Sequence, residues 1–486
     1  MSSLDTILKQ AQWAAAQGAI SDAISILNAG LKTHVNSVVL LQFKAGLQWQ
    51  SGDLFGAQDS LAALIQTRAL PTLQTDLMQA KLSCDLLDYD FALRAIQAPL
   101  AASPANPDVA LTAYRIFLTQ GRLDAAAQSL DNALAQTQNN AALIAARLNL
   151  PLPQGGGFVK KAEHIAERLS DEDLQKPLIL FSLARYFDKQ ADYVRAWELQ
   201  GRANKLLALQ RHVDMSLEAS DARISSLTRR AERANLLADS LPGLPKSPQE
   251  HIYMMGAARS GSSLILSILA SLPNVDSAGE RAALTPHLNA VCDAPDKAFT
   301  PEQQRGLEKS DRAGLARIGK SETRHIIDKT PHNFFIAPLI SKIHSHSRFL
   351  NVRRSCGNVA ISQLFHPLTA VFPETYTLSG ALGVLALRKR LVDQFKAAGL
   401  DVVDIDFDAF TLNPAANGKA LAQSLGLVWD DRAVNDPSAR SHVPTFSAAQ
   451  IRKPITASDT AAWQRFLPAM SDKERDGITA LSEHTN

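Results

Sequence analysis

A chain of 486 residues is longer than a single hydrophobic core usually serves, so we expect roughly two to four domains. Hydrophobic residues make up 46% of the chain and charged residues 20%, a globular composition that excludes long disordered segments. Lysine and arginine number 50 against 48 aspartates and glutamates. The formal net charge of +2 does not indicate a sequence-independent nucleic-acid binder, which needs a concentrated basic face, and any anion site must be local.

The cysteines and the first six residues bear on the cellular compartment in which we expect the protein. Cys84, Cys292 and Cys356 are odd in number, far apart and without metal-ligand spacing, which favours reduced thiols. Residues 1–6 contain no basic region followed by an apolar run, and no stretch approaches the ~20 apolar residues of a membrane span. We therefore expect a cytoplasmic protein without a membrane span.

The first half of the chain is repetitive. Gly18, Gly52 and Gly121 are each followed by an alanine and then a leucine at fixed offsets, and Leu87 takes the glycine position of a further unit. The steps of 34, 35 and 34 residues match the period of the tetratricopeptide repeat, a helix-turn-helix unit. The small and apolar positions are Ala23 and Leu27, Ala57 and Leu61, Ala92 and Ile96, and Ala126 and Leu130. We predict an all-α, tetratricopeptide-like solenoid over residues 1–240, with a surface for a protein partner; the alternative is a generic alanine-rich bundle.

Proline and glycine mark two breaks in the pattern. Residues 150–157 interrupt the repeat register, and residues 192–197 resemble one more repeat turn after that interruption. Residues 241–248 contain three prolines and a glycine, which cannot continue a helix. We predict a linker at 241–248 and a second domain over residues 249–486.

The second domain opens on a strand, a tight loop and a helix. An apolar run of strand length from Ile252 to Met255 precedes residues 256–263, Gly-Ala-Ala-Arg-Ser-Gly-Ser-Ser, and apolar residues at helical spacing follow from Leu264 to Leu272. Glycines admit a ligand close to the backbone, and the start of a helix attracts anions. We predict a phosphate site there; the alternative is a serine-rich turn that binds nothing. The predicted ligands are Arg259, Ser260, Gly261, Ser262 and Ser263.

This loop departs from the P-loop of nucleotide triphosphatases. Gly256 and Gly261 have the P-loop spacing, but Ser262 occupies the position of its lysine and the cation is Arg259 instead. Kinases of the P-loop class use that lysine on the terminal phosphates. The residues therefore favour a single 5′-phosphate over a triphosphate, and a P-loop kinase is a weaker hypothesis.

Beyond the loop, short β-like runs alternate with helical stretches. The runs cover residues 324–329, 348–353 and 401–406, and the helical stretches begin near Asn333, near Asn358 and at about Leu385. Such alternation predicts a parallel sheet with helices on both faces, in which ligands collect at the carboxyl ends of the strands. Arg353 and Arg354 follow the second of these runs, and Ser362 lies eight residues after Arg354. An arginine and a serine so placed can hold one anion from two sides.

Two of these segments resemble the donor-binding motifs of sulfotransferases. Residues 258–263 resemble the 5′-phosphosulfate loop, with Ala258 in place of its proline and serines in place of its threonines. Residues 352–362 resemble the 3′-phosphate motif, with Ser355 and Cys356 in place of its Asp-Pro. The resemblance implies that Arg354 and Ser362 hold the 3′-phosphate of 3′-phosphoadenosine 5′-phosphosulfate.

Three further motifs extend the resemblance to sulfotransferases with N-terminal tetratricopeptide repeats, a bacterial type related to the tyrosylprotein sulfotransferases. They are Gly279-Glu280, the Asp-Lys-Thr-Pro-His-Asn-Phe run at 328–334, and the Gln-Ile-Arg-Lys-Pro run at 450–454 followed by Trp463. The resemblance implies a C-terminal α/β domain, P-loop-like and with a central parallel sheet. It also implies sulfuryl transfer without a metal to a hydroxyl or amine of a peptide, a saccharide or a small molecule.

The chemistry of sulfuryl transfer suggests roles for particular residues, and for Glu280 the resemblance to tyrosylprotein sulfotransferases implies the same role. Glu280 is expected to be the general base, Arg259 and Lys329 to neutralise charge on the leaving phosphate, and Arg452 and Lys453 to close over the nucleotide. His287 and His332 are rival bases, although each is more often a structural histidine. Glu280 could instead cap the following helix, and the lysines and arginines could be solvated surface charges.

Two readings compete with an active sulfotransferase. A tetratricopeptide scaffold with a decayed C-terminal domain is the first, because Ala258, Ser355 and Cys356 depart from the family pattern. The P-loop kinase is the second, and the serine at position 262 opposes it.

Overall fold

The structure is a computed structural model. It describes residues 3–17, 19–69, 72–86, 88–240, 249–280, 284, 288, 291–293, 300, 305, 307–308, 311, 315, 318, 322–344, 346–368, 372–440 and 451–483. Among the predicted features, Gly18, Leu87, His287, Gln450 and the linker at 241–248 lie outside the described residues. The predicted domain boundary therefore stays a prediction.

The chain begins with four helix pairs. Their bounds are Leu4–Ala16 (α1), Ile20–Thr33 (α2), Val38–Gln50 (α3), Leu54–Gln66 (α4), Thr72–Asp85 (α5), Tyr89–Ala102 (α6), Pro107–Thr119 (α7) and Leu123–Gln136 (α8). Gly52 lies in the turn between α3 and α4, and Gly121 lies in the turn between α7 and α8. Their φ angles of 84° and 74° are left-handed, a conformation that glycine adopts without a steric cost.

The predicted repeat positions are buried where the helices pack. Ala23, Ala57, Ala92 and Ala126 are each 0% exposed. A methyl side chain at the crossing point lets two helix backbones approach closely, which explains why the sequence keeps alanine there. The predicted helical-repeat solenoid is confirmed.

Five more helices precede the sheet. They are Ala141–Asn149 (α9), Gly156–Arg168 (α10), Lys176–Lys189 (α11), Tyr193–Gln210 (α12) and Leu217–Ser240 (α13). The register break at 150–157 covers the connection from α9 to α10 and the first two residues of α10. The repeat turn at 192–197 starts α12, where the Asp192 side chain accepts a hydrogen bond from the Arg195 backbone N–H at 3.2 Å.

A five-stranded sheet lies at the centre of the C-terminal part. The strands are Glu250–Met254 (β1), Val275–Gly279 (β2), His325–Asp328 (β3), Ser347–Arg353 (β4) and Val402–Asp406 (β5). Their order is β2-β3-β1-β4-β5 and every pair is parallel, so all five carboxyl ends meet at one edge. The predicted α/β fold is confirmed, with β2 as an additional strand.

Helices cover the sheet and its edge. They are Ser262–Leu269 (α14), Ala337–Ile343 (α15), Cys356–Leu364 (α16), Leu378–Ala397 (α17), Phe407–Leu412 (α18), Pro414–Ser424 (α19), Arg432–Asn435 (α20) and Asp472–Glu483 (α21), with 3₁₀ helices at Pro331–Ile336, Pro373–Tyr376 and Ala462–Ala469. Ile252 and Leu350 of the sheet pack with Ile265 and Leu269 of α14, and all four are at most 1% exposed. No helix within the described residues is both long and apolar enough to cross a bilayer.

The later helices share a core with the sheet-bearing part. The first compact unit ends at Ala133, and the second runs from Leu134 through α9–α13 into the sheet. Phe466 lies between Trp197 of α12 and Phe365 beside α16, with ring centroids 5.8 and 4.9 Å away. These rings belong to one hydrophobic cluster that spans both segments.

Polar side chains of the same helices bind the carboxyl end of α16. Arg185 Nη1 donates to the Phe365 carbonyl at 2.6 Å, and Asn204 Nδ2 donates to the Leu364 carbonyl at 2.8 Å. The last carbonyls of a helix lack partners within the helix, and a cation there complements the helix dipole. Side chains of α11 and α12 therefore supply hydrogen-bond donors to the carbonyl groups at the carboxyl end of α16.

This shared core predicts how fragments behave. A fragment of residues 134–486 should fold and unfold cooperatively, whereas residues 249–486 alone should aggregate, because Phe365 and Phe466 would lose their cover. Burying each such aromatic side chain contributes about 1.5–3 kcal/mol. Calorimetry and size-exclusion chromatography of the two fragments test the prediction. A monodisperse 249–486 fragment with a cooperative transition would contradict it.

Candidate functional site

The loop after β1 has a strained, close-packed backbone. Arg259 has φ 71° and Gly261 has φ 93°, both in the left-handed region. A Cβ added at Gly261 would lie 2.2 Å from Cδ2 of Phe407, and one at Gly256 would lie 2.6 Å from the Ser260 hydroxyl. The loop therefore needs glycine at both positions, and it holds Arg259 in a conformation that non-glycine residues rarely adopt.

Buried hydroxyl groups line this loop. Ser260, Ser262 and Ser263 are all buried, the last two in the first turn of α14. The Ser260 Oγ has no hydrogen-bond partner among the described residues. A buried hydroxyl without a partner costs free energy, so its position in a glycine-rich loop at a helix start fits a bound phosphate oxygen.

The loop and the 3′ motif meet directly. Arg259 Nε donates a hydrogen bond to the Ser362 Oγ at 3.0 Å, although 103 residues separate them. Nearby, Gln363 Nε2 donates to the Ala258 carbonyl at 2.9 Å. The two predicted anion-binding segments are therefore in direct contact.

Arg354 also contacts the loop after β1. Its Nη1 donates to the Arg259 carbonyl at 3.4 Å, and its Nη2 donates to the Ser458 hydroxyl at 3.4 Å. The guanidinium carbon is 5.1 Å from the centroid of the Phe407 ring, and this ring in turn packs against Gly261. A stack of Gly261, Phe407 and Arg354 thus fixes the arginine relative to the loop.

The site has an excess of positive charge. Burial and the neighbouring Arg354 charge lower the pKa of the Arg259 guanidinium to about 10. Burial also lowers the pKa of Arg354, against the attraction of Asp408, whose Oδ1 is 3.6 Å from Arg354 Nε. Both arginines remain charged at neutral pH, so a bound anion would relieve their mutual repulsion.

Ser355 makes its own contacts at the position where the family motif has aspartate. Its backbone N–H donates to Asp408 Oδ2 at 2.7 Å, and its hydroxyl donates to the Thr460 carbonyl at 2.9 Å. Asn358, one turn further, donates to the Asp459 carbonyl at 2.7 Å and accepts from the Trp463 N–H at 3.0 Å. The C-terminal segment therefore fixes the turn between β4 and α16.

Glu280 and Lys329 form an ion pair at the ends of two neighbouring strands. Lys329 Nζ donates to Glu280 Oε1 at 2.5 Å, and the Lys329 N–H donates to the Gly279 carbonyl at 2.8 Å. The Lys329 side chain is 8% exposed and that of Glu280 is 48% exposed. The lysine is thus buried beside the strand ends, while the carboxylate reaches solvent.

The rival histidine differs from Glu280 in its surroundings. The ring of His332 lies 4.6 Å from that of Phe372 and 6.1 Å from that of Phe335, centroid to centroid. It is packed among aromatic rings in a 3₁₀ helix. His287 lies outside the described residues.

The predicted cations of the C-terminal loop have different neighbours. Arg452 Nη1 donates to the carbonyls of Pro437 and Ser438 at 3.3 and 3.1 Å. Lys453 is exposed, and its carbonyl accepts from the buried Arg440 at 2.8 Å. Their roles in nucleotide binding stay predictions.

Residues that were not predicted help to shape the site. Phe407 and Asp408 directly follow β5, so the rule that ligands collect at strand ends could have found them. No sequence pattern indicated Arg388, because it lies in the middle of the long helix α17 and not at a strand end. In the structure it is buried. It donates to the carbonyls of Met255 and Pro331, each at 3.0 Å, and thereby joins the ends of two site segments.

The five strand ends present the site residues in spatial order. From β2 to β5 these are Glu280, Lys329, the loop from Gly256 to Gly261, Arg354, and Phe407 with Asp408. The edge therefore carries a carboxylate at one end and the two arginines Arg259 and Arg354 in its middle. The described residues contain no group of three side chains suited to hold a metal ion.

Comparisons with known proteins agree with this layout. Residues 251–431 match the sequence model of the Sulfotransferase family. An uncharacterized protein of Aquifex aeolicus (strain VF5) is 24% identical over 302 residues, 59% of this chain. The chain spans only 39% of that relative's length. The family match supports sulfuryl transfer as the general activity of the matched region.

Solved structures give weaker likenesses. A tetratricopeptide repeat protein from Parabacteroides merdae has a TM-score of 0.34 at 14% identity, over 42% of this chain and 78% of its own. The sulfotransferase STF1 from Mycobacterium tuberculosis has a TM-score of 0.28 at 11% identity, over 65% of this chain and 99% of its own.

Proposed function

We propose that this protein is a sulfotransferase that moves the sulfuryl group of 3′-phosphoadenosine 5′-phosphosulfate to a hydroxyl or amine acceptor. The 3.0 Å hydrogen bond between Arg259 and Ser362 carries the proposal, because it joins the two segments expected to bind the two ends of one nucleotide. The family match over residues 251–431 supports it independently.

The site residues fit the donor's two charged ends. The glycine-rich loop, with the unpartnered Ser260 hydroxyl and the first turn of α14, suits the 5′-phosphosulfate. Arg354 and Ser362 suit the 3′-phosphate through charge-assisted and neutral hydrogen bonds. Two arginines that repel each other in the free protein would then both be neutralised by the ligand.

The reaction needs a base that takes the proton of the sulfuryl acceptor. It also needs cations that stabilise the negative charge developing on the leaving phosphate. The acceptor oxygen or nitrogen forms a bond to sulfur as the bond from sulfur to the 5′-phosphate oxygen breaks, and the acceptor proton passes to the base. Glu280 is our candidate, since its second carboxylate oxygen remains available beside the Lys329 contact. Arg259 and Lys329 would neutralise charge on the departing phosphate.

The binding half of the proposal can be tested without the acceptor. We expect 3′,5′-diphosphoadenosine to bind the full chain in calorimetry, and Arg354→Ala to weaken binding at least about tenfold, because a hydrogen bond to a charged group contributes about 1.5–3 kcal/mol. Arg353→Ala is the matched control, since this neighbouring arginine is exposed. No binding to the unmodified chain at millimolar nucleotide would refute the proposal.

A decayed scaffold remains the second candidate, because Ala258, Ser355 and Cys356 depart from the family motifs. It predicts no transfer of label from radiolabelled donor to any component of a lysate. The contacts of Ser355 with Asp408 and Thr460 oppose it, since they replace the missing turn residues with hydrogen bonds. A P-loop kinase instead predicts magnesium-dependent ATP binding.

Further properties belong to the same proposal. We infer a cytoplasmic location, which reduced cysteines favour. The repeats of the first compact unit are proposed to bind a protein partner or a large acceptor. The acceptor is taken to be a peptide, a saccharide or a small molecule, and identification of labelled products in a lysate decides between them.

A further inference from the structure

Arg388 carries a buried charge that has no role in the chemistry described above. It lies in the middle of α17 and is 9% exposed, and its guanidinium carbon is 4.4 Å from the centroid of the Phe334 ring and 5.2 Å from that of Phe335. Burial lowers the pKa of this guanidinium to about 10, and the charge of Glu374 opposes the shift. The side chain therefore stays charged at neutral pH, and a buried charge costs free energy unless it is paired or hydrogen-bonded.

The two terminal nitrogens of Arg388 bind different segments of the site. Nη1 donates to the Met255 carbonyl and Nη2 donates to the Pro331 carbonyl, each at 3.0 Å. Met255 directly precedes Gly256, the first residue of the loop after β1, and Pro331 lies two residues after Lys329. One planar guanidinium therefore bridges the loop after β1 and the segment that follows β3.

This bridge lies beyond the point where β1 and β3 are paired in the sheet. The last paired residues of the two strands are Tyr253 and Asp328. Met255 lies two residues beyond this pair in one segment, and Pro331 lies three residues beyond it in the other. The carbonyl groups that Arg388 binds therefore extend the connection between the two segments past the end of their ladder.

Contacts at the ends of β2 and β3 hold Glu280 and Lys329 together. Their side chains form an ion pair, and the Lys329 N–H donates to the Gly279 carbonyl at 2.8 Å. The next residue, Thr330, donates its N–H to Asp328 Oδ1 at 2.8 Å. The proposed base and its cation therefore form one unit, and a bridge from this segment to the loop after β1 sets the distance of the whole unit from the donor.

The helix that carries Arg388 is itself firmly packed. Leu387 and Leu391 of α17 are 1% and 2% exposed. The ring of Phe395 lies 5.5 Å from that of Phe334, centroid to centroid. The guanidinium is therefore presented from a buried helix, and its two hydrogen bonds fix both site segments to that helix.

We propose that Arg388 is a positioning residue for sulfuryl transfer, which sets the distance between the loop expected to bind the 5′-phosphosulfate and the Glu280–Lys329 pair. The inference rests on the proposed function and adds to it a residue that acts through two backbone carbonyls. In-line transfer requires the acceptor atom, the sulfur and the leaving oxygen to be aligned, and a displacement of about 1 Å can lower the rate about 10²-fold.

Arg388→Lys tests this role, because an ammonium keeps the charge but lacks the planar fork that binds both carbonyls. We expect kcat for label transfer from radiolabelled donor to a lysate fraction to fall about 10²-fold. The donor KM and the calorimetric affinity for 3′,5′-diphosphoadenosine should change less than about threefold, because the loop keeps its contacts with Ser362 and Phe407. Arg390→Lys, at an exposed arginine of the same helix, is the matched control and should change none of these quantities.

A double-mutant cycle separates positioning from a loss of folded protein. In the Glu280→Gln background, Arg388→Lys should lower the transfer rate less than about tenfold, because the base whose position it sets is already absent. A smaller folded fraction would instead lower the rate by the same factor in both backgrounds. Arg388→Met, which fills similar space without a charge, is a second variant for the same cycle and should give the same pattern. Thermal unfolding measures the stability of each variant.

The outcomes separate this inference from the proposed function. If the unmodified chain transfers label and Arg388→Lys transfers it at the same rate, the sulfotransferase proposal stands and the role of Arg388 is wrong. A loss of diphosphate affinity in proportion to kcat overturns the inference, since the substitution then acts through donor binding. Equal rate losses in both backgrounds, or failure of both variants to fold, also overturn it. A chain that neither binds the diphosphate nor transfers label refutes the proposed function itself.

Discussion

Glu280→Gln should lower the rate of sulfuryl transfer by about 10²–10⁴-fold, the usual contribution of a general base. The amide oxygen can still accept the hydrogen bond from Lys329, so the geometry of the strand ends is kept while the proton acceptor is lost. Affinity for 3′,5′-diphosphoadenosine should change less than about twofold, because the carboxylate is at the far side of the anion site. Initial rates of label transfer from radiolabelled donor to a lysate fraction, with calorimetry on the same protein, measure both quantities.

The matched control for this substitution is Glu322→Gln. Glu322 is exposed and precedes the amino end of β3, whereas Lys329 follows the carboxyl end of the same strand. It should transfer label at the unmodified rate. If Glu280→Gln also retains the unmodified rate, Glu280 is not the base, and His332 becomes the next residue to test.

Gly261→Ala should remove nucleotide binding and destabilise the second compact unit by about 2–4 kcal/mol, combining left-handed backbone strain with overpacking. The added methyl would lie 2.2 Å from the Phe407 ring, so the ring must move. Arg354 also packs against this ring, so a displacement of the ring would disturb the proposed 3′-phosphate site together with the loop. Urea unfolding and nucleotide calorimetry measure the two effects.

Gly399→Ala separates the steric contribution from the backbone strain. Gly399 also has a left-handed φ, 85°, but nothing lies within 4 Å of an added Cβ. It should cost only about 1 kcal/mol of unfolding free energy and leave nucleotide affinity unchanged. Equal destabilisation by the two alanines would contradict the role assigned to the contact with Phe407.

Sequence patterns predicted those parts of the fold that depend on residues close together in the chain. The alanine positions from Ala23 to Ala126 predicted the repeats because small residues are required wherever paired helices cross. The strand-to-loop pattern predicted the loop after β1, and Arg354 lies beside that loop because parallel strands end at one edge; anion binding by either segment stays a prediction. The contact between Arg259 and Ser362 follows from that topology.

Other features depend on distant contacts that a linear pattern does not contain. Strand β2 is short, includes the polar residues Asp276 and Ser277, and lies at the sheet edge, so it lacks an apolar run. Nothing in α11 or α12 indicates that Arg185 and Asn204 bind the end of α16. In the sequence Phe407 looks like an ordinary core residue, and only the structure shows that its ring packs closely against Gly261.

The central claim is that the Arg259 loop and the Arg354–Ser362 pair hold the two ends of one adenine nucleotide. A crystal structure of the full chain grown with 3′,5′-diphosphoadenosine tests it most directly. We predict the 5′-phosphate on the backbone of residues 256–263, and the 3′-phosphate within hydrogen-bond distance of Arg354 and Ser362. Nucleotide density elsewhere, or crystals grown at millimolar ligand without density at these residues, would contradict the claim.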